Sequence, residues 1–87
     1  MIFEFDPGKS SSNAAKHGID FIKAQALWAD QNLLEAPARI TGEARWIAIG
    51  RIGDTVWAAI FTKRDRATRI ISVRRARREE RQFYENR

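Results

Sequence analysis

The 87-residue sequence contains no cysteine, which excludes disulfide stapling and thiolate metal ligation and fits a reducing compartment. It has a single histidine, His17, with no group of carboxylates around it in sequence, so neither a metal nor any other cofactor is expected. No apolar run approaches the length of a membrane span. The opening MIFEFDPGK also lacks the basic start and apolar middle of an export signal. A cytoplasmic protein without membrane contact is therefore expected. A phosphate-binding P-loop, a dinucleotide fingerprint, a nucleophile elbow and an HExxH motif are all missing. Internal repeats, low-complexity tracts and linkers are missing too, so residues 1–87 read as one domain, burying roughly 60% of the surface its unfolded chain exposes.

What the sequence has in excess is arginine, and it is unevenly placed. Residues 63–87 hold ten Lys/Arg against four Asp/Glu, a net of +6; with +5 for the whole chain, the first 62 residues are left at −1. A clustered positive field favours a nucleic-acid backbone or an acidic protein partner. The plainer alternative is a solvated helix face carrying i,i+4 pairs such as Arg75 with Glu79 and Arg81 with Glu85.

Ile2 to Phe5 reads as a short strand, stopped by Asp6-Pro7. Asp6 is a suitable N-cap, Pro7 suits the first helical position, and Gly18 is a natural left-handed terminator, which predicts a helix carrying Lys9, Asn13, Lys16 and His17. Asp20 caps a second helix, with Ile19 and Ala24 placed as a hydrophobic staple and Phe21, Ala24, Leu27 and Trp28 as its apolar stripe. Asp30-Gln31-Asn32 breaks that pattern. Leu33 to Ala36 reads as an edge strand beside Pro37, and residues 37–44 as loop. Arg45 to Arg51 and Thr55 to Thr62 are strands around the turn at Gly53-Asp54, and the second is apolar on both faces, as a central strand must be. After a turn over Lys63 to Ala67, Thr68 to Val73 returns antiparallel and runs into a terminal helix, Ala76 to Asn86. On that helix Ala76 and Phe83 form the apolar stripe, Glu80 and Tyr84 lie along its margin, and Arg77, Arg78, Arg81 and Glu85 point away. The predicted architecture is α+β: a small antiparallel sheet with two N-terminal helices packed on one face and a C-terminal helix at its edge.

Arg74 and Arg75 stand where the last strand meets the terminal helix, in a geometry suited to gripping phosphate oxygens. His17 is the only side chain whose type titrates near neutrality and can serve as acid or base; a histidine beside Gly18 is more often a capping or packing residue. Lys16 can bind phosphate, though a solvated lysine is commoner. Glu80 and Tyr84 place a carboxylate and a phenol one helical turn apart, against the alternative of a structural bridge from Glu80 to Arg69 or Arg74. Arg51, Arg64 and Arg66 flank turns, where they either meet a polyanion or keep sheet edges soluble. Trp28, Trp46 and Trp57 can stack on bases, but their positions fit the core better.

The series FEFD (Phe3 to Asp6), Lys9, Asn13, KHG (Lys16 to Gly18), DF, Ala24, RWIAIG and RIISVRRA, followed by Glu80 and Tyr84, resembles the BrnT family of toxins across nearly the whole chain. The family often has Trp where Phe5 stands, and a longer polar connection than EAPARITGEA. The resemblance implies a RelE-like fold and a single toxin domain over residues 1–87. It implies metal-free cleavage of RNA by attack of a ribose 2′-OH, inhibition of translation, and neutralisation by a cognate antitoxin, with DNA met only through the antitoxin complex. Chemistry then nominates Arg74, helped by Arg69 and Lys16, as phosphate clamp, Glu80 or His17 as base, and His17 or Tyr84 as acid. Lys9, Arg51, Arg64, Arg66, Arg75, Arg77, Arg78 and Arg81 are the expected RNA-binding cations. The rival readings are a basic module that binds nucleic acid or an acidic partner without cutting, and a DNA-binding regulator. The second is weakened because no helix-turn-helix is visible.

Overall fold

A computed structural model describes residues 1–39 and 42–86. The elements run β1 (Ile2–Glu4), α1 (Pro7–His17), α2 (Phe21–Ala24) continued by a 3-10 turn (Gln25–Ala29), β2 (Leu34–Arg39), β3 (Arg45–Ile52), β4 (Thr55–Arg64), β5 (Ala67–Arg75) and α3 (Arg78–Glu85). The helix boundaries follow their local chemistry. Asp6 accepts the Gly8 N–H at 3.1 Å, Gly18 closes α1 with φ of 77°, and Asp20 accepts the Lys23 N–H at 2.7 Å. The apolar residues Phe21, Ala24 and Leu27 recur every three positions, the period of a 3-10 helix. That spacing explains why the second helix tightens after one turn and still buries all three.

The sheet order is β1-β5-β4-β3-β2, which puts the doubly apolar β4 at the centre. The sheet is mixed, not antiparallel as expected. Hairpins make β2 through β5 antiparallel, but β1 joins β5 in parallel, pairing Ile2 with Ala67 and Glu4 with Arg69. β1 reaches its neighbour across most of the chain, and no tight turn dictates its direction. β2 also runs through Pro37, which was expected to start a loop. An edge strand tolerates a residue without N–H, and the register shifts between Pro37 and Arg39. Residues 40 and 41 of the expected loop lie outside the described residues. The turn expected over Lys63 to Ala67 is confined to Asp65-Arg66, with Asp65 at φ 52°, since long basic side chains can extend a strand while their heads reach water.

Alternation gives the sheet two faces. One carries Ala48, Trp57, Ala59, Phe61, Ile70 and Val73 against Ile19, Phe21, Ala24 and Leu27, with Phe3, Phe5, Trp28 and Trp46 around the margin. All three tryptophans therefore serve the core. The other carries Ile49, Val56 and Ala58 under Tyr84 of α3, with Leu34, Ile47 and Ala76 beside them. α1 lies against β5 and buries Ser10 and Asn13: Ser10 Oγ accepts the Phe21 N–H, and the Asn13 carboxamide bonds both main-chain groups of Val73. The apolar stripe expected on the terminal helix is corrected. Ala76 precedes the helix, its N–H donating to Val56 O, while Tyr84 is buried and Phe83 is 71% exposed.

One irregularity governs the face under α3. Ile60 pairs with Ser72 but Phe61 pairs with Ile70, so Ile71 is a β-bulge. Arg69 and Arg74 are an odd number of residues apart and would otherwise point to opposite faces. The bulge puts both, with Ser72, on the face that α3 partly covers.

Candidate functional site

Arg74 stands opposite Ala58 on β5, directly before the chain turns into α3. Glu80, in the first turn of α3, accepts the Arg77 N–H at 2.8 Å and binds Arg74 through both oxygens, Nη1 to Oε1 at 2.7 Å and Nη2 to Oε2 at 3.0 Å. Arg74 Nη1 also donates to the Arg75 carbonyl at 3.3 Å. Among the described residues these bonds engage three of its five N–H donors and leave Nε–H and one Nη2–H for a ligand. The hydrogen bond from Arg74 holds the Glu80 carboxyl below the ordinary range despite the opposing effect of burial, and the same bond pushes Arg74 up. A carboxylate so engaged is a weak base. What it does well is fix the plane of a guanidinium.

At the far end of α3, Tyr84 donates to Asp30 Oδ2, which also accepts the Arg51 N–H at 2.8 Å, while Asp30 Oδ1 takes the Asn32 N–H at 2.8 Å. Arg51 reaches Glu85 at 3.5 Å and lies 6.0 Å from the Tyr84 ring centre. Asn32, Arg51, Tyr84 and Glu85 line a cleft of about 500 Å³. Gly50 allows this close approach: a Cβ there would come within 2.9 Å of Leu33 Cδ1, 3.1 Å of Leu27 Cδ2 and 3.3 Å of Asp30 Oδ2, so these side-chain ends would have to shift. Burial alone would raise the Asp30 carboxyl, but the Tyr84 hydroxyl, the two main-chain donors and the Arg51 charge together bring it below its ordinary value. Burial, then the bond to Asp30, push the Tyr84 phenol up.

Tyr84→Phe should therefore cost about 1.5–3 kcal/mol in urea denaturation at neutral pH, the range for a hydrogen bond to a charged group. The sign follows from the lowered carboxyl: Asp30 stabilises the fold above its unfolded pKa, and that stability is lost as pH falls through the folded value. The difference between the two proteins should shrink in acid. A difference that stays constant from neutral to acid pH would show that Asp30 is not the partner that matters.

The other nominated residues distribute unequally. Arg69 shares the Arg74 face and lies 3.7 Å from Glu4, and Arg64 is forked onto Glu43 at 3.0 and 3.1 Å. Arg75 turns to the opposite face, 5.8 Å from the Trp57 ring centre. Arg66 sits in the β4–β5 turn, Arg77 at the start of α3, and Arg78 and Arg81 are exposed along it. Lys9, Lys16 and His17 are exposed on α1, and among the described residues no hydrogen bond or ion pair joins Lys16 or His17 to Arg74 or Glu80. Asp30 and Asn32 were not nominated from the sequence. Their only local trace is the Asp-x-Asn spacing of a side-chain turn. Among the described residues no three His, Cys, Asp or Glu side chains come together to hold a metal, and no helix is long and apolar enough to cross a membrane.

A comparison with curated proteins gives no match. The model of a protein family does match, over residues 5–80, and its description is the ribonuclease toxin BrnT of type II toxin–antitoxin systems. The matched span runs from Phe5 to Glu80 and so holds β2 through β5, both N-terminal helices and the Arg74–Glu80 fork. The resemblance read from the motifs is borne out, and the chain belongs to the BrnT family of ribonuclease toxins.

Proposed function

We propose that this toxin is a metal-independent endoribonuclease, a single RelE-like domain that acts in the cytoplasm, inhibits translation by cutting RNA, and is silenced by a cognate antitoxin. The observation that carries the reading is the Arg74 guanidinium, held by Glu80 on a sheet face lined with arginine, with two donors to spare. In the reaction a base takes the proton of a ribose 2′-OH, whose oxygen bonds to the adjacent phosphorus. The P–O5′ bond then breaks, and an acid protonates the leaving oxygen. Charge accumulates on the phosphoryl oxygens between these events, where fixed guanidinium donors act most strongly. Arg74 supplies them, with Arg69 further along the same strand and face. Glu80 acts by positioning Arg74. The proton steps rest on His17, with Lys16 as a further cation; Tyr84, buried and donating to Asp30, is the weaker acid candidate. Tyr84, whose pKa is raised, holds its proton tightly.

The antitoxin reading rests on a second surface. Phe83 is exposed beside an apolar groove of about 300 Å³ whose lining includes Leu34, Ala36, Ile47 and Ile49, on the same face as Arg74. A partner placing apolar side chains there and acidic ones over the arginines would cover the site.

Purified protein should cut naked single-stranded RNA to products with 2′,3′-cyclic phosphate ends, and EDTA should change the rate little. The co-purified toxin–antitoxin complex should be silent in the same assay. Loss of cleavage in EDTA with rescue by a divalent ion would overturn the metal-free mechanism. Intact RNA together with unimpaired growth on expression would favour the non-cutting binding module.

A further inference from the structure

We propose that Arg45, Arg64 and Arg69 form a second phosphate subsite for the RNA backbone, and that the protein's own Glu43 carboxylate occupies it when RNA is absent. This rests on the ribonuclease reading and extends it to where the substrate chain runs.

The subsite follows from register. β3 alternation puts Arg45 on the face of Ile47 and Ile49, β4 alternation puts Thr62 and Arg64 on the face of Ala58, and Thr62 pairs with Arg69, which pairs with Glu4. A basic row thus crosses the sheet at the end away from α3. Glu43, just before β3, reaches into it and takes the Arg64 fork through both oxygens, Nε at 3.0 Å and Nη2 at 3.1 Å. The Arg64 hydrogen bond holds its carboxyl low against the opposing effect of desolvation, and the charges of Arg64, Arg45 and Arg69 add to it. One carboxylate therefore sits in the field of three guanidiniums.

Three features mark this as an exchangeable site and not a fixed bridge. The Arg64 and Glu43 side chains are each 47% exposed, and solvated pairs of this kind hold weakly. A phosphodiester presents the same charge and the same paired oxygens to the fork. Thr62, fully buried opposite Arg69, has a hydroxyl without a hydrogen-bond partner among the described residues. An oxyanion lying on the row, with the arginine stems parted, would give that hydroxyl an acceptor. RNA is favoured over a partner's carboxylate because the row is aligned with Arg74. From Arg45 to Ile49, in the Arg74 row, is four residues along β3, roughly 13 Å at strand rise, so one backbone can cross both sites.

The test uses a labelled single-stranded oligonucleotide with 2′-O-methyl riboses, which lacks the attacking hydroxyl and is not cut. Its affinity for the full chain is measured by fluorescence anisotropy over a range of NaCl concentrations. Glu43→Gln should tighten binding by about twofold to fivefold, the range that release of an exposed ion pair allows. Asp54→Asn, which makes the same change in net charge at the β3–β4 turn, should not. Arg45→Gln should weaken binding and reduce the slope of log affinity against log salt by about 0.7, one single-strand phosphate contact. Equal effects of Glu43→Gln and Asp54→Asn, or an unchanged slope in Arg45→Gln, would overturn the subsite while leaving cleavage by the wild type intact. So would an Arg45→Gln protein that loses only its grip on the antitoxin. A wild-type protein that neither binds nor cuts RNA would remove the ribonuclease reading itself.

Discussion

Arg74→Gln should slow single-turnover cleavage of RNA by about 100-fold or more, the scale seen when a preorganised donor to transition-state charge is removed. Glutamine keeps part of the length and polarity of the side chain but loses the fixed positive charge and the fork that Glu80 grips through two oxygens. Arg74→Lys should be nearly as damaging, because an ammonium on a flexible stem cannot fill a bidentate site. Arg81→Gln is the matched control. It removes the same charge from the exposed side of α3, where attraction for RNA is long-range and screened, and it should weaken binding and flatten its salt dependence by roughly one contact without slowing the bound complex. Both proteins should keep the circular dichroism of the wild type. Should saturating RNA restore the full rate to Arg74→Gln, the guanidinium is a binding contact and the transition state is stabilised elsewhere.

Much of the scaffold was legible because it is written locally. Asp6, Pro7, Gly18 and Asp20 each do their work within a few residues, and β4 announces its central place by being apolar on both faces. What escaped depends on partners far away in sequence. The parallel pairing of β1 has no hairpin to reveal it. The exchange of Phe83 for Tyr84 as the buried residue of α3 is decided by Asp30, 54 residues earlier, and a helical wheel drawn on α3 alone carries no trace of it. The bulge at Ile71 was least visible of all. It falls within the β-branched run Arg69 to Val73 with no glycine to mark it, yet it brings Arg69 and Arg74 onto one face. Composition shows only that the arginines cluster, and the register says which of them share a face: Arg75 adjoins Arg74 in sequence and faces away, while Arg45, 29 residues before Arg74, shares its face.

Asn13→Ala should lower the stability of the protein by on the order of 3 kcal/mol or more, a large share of the 5–15 kcal/mol typical of a domain. β1 covers the outer edge of β5 only as far as Arg69, and the strand beyond would otherwise present bare main-chain groups. Asn13 takes the place of the missing strand at Val73: Oδ1 accepts the Val73 N–H at 3.1 Å and Nδ2 donates to the Val73 carbonyl at 2.8 Å. The same Nδ2 donates to the Ile19 carbonyl at 2.8 Å, which pins the chain leaving α1 to the sheet. The side chain is nearly wholly buried, so alanine leaves these groups without partners and without room for free access by water. For a chain of this size the loss corresponds to a fall in melting temperature of more than about 12 °C. Asn13→Asp should be no better, since it keeps one acceptor and turns a carboxylate toward two carbonyl oxygens. Val73 directly precedes Arg74, so the amide of Val73 should also lose its protection in hydrogen exchange, and cleavage should fall even at temperatures where the variant remains folded. A melting temperature within a few degrees of the wild type, with Val73 still protected, would show that the carboxamide is dispensable and that packing alone holds α1 against the strand that carries the site.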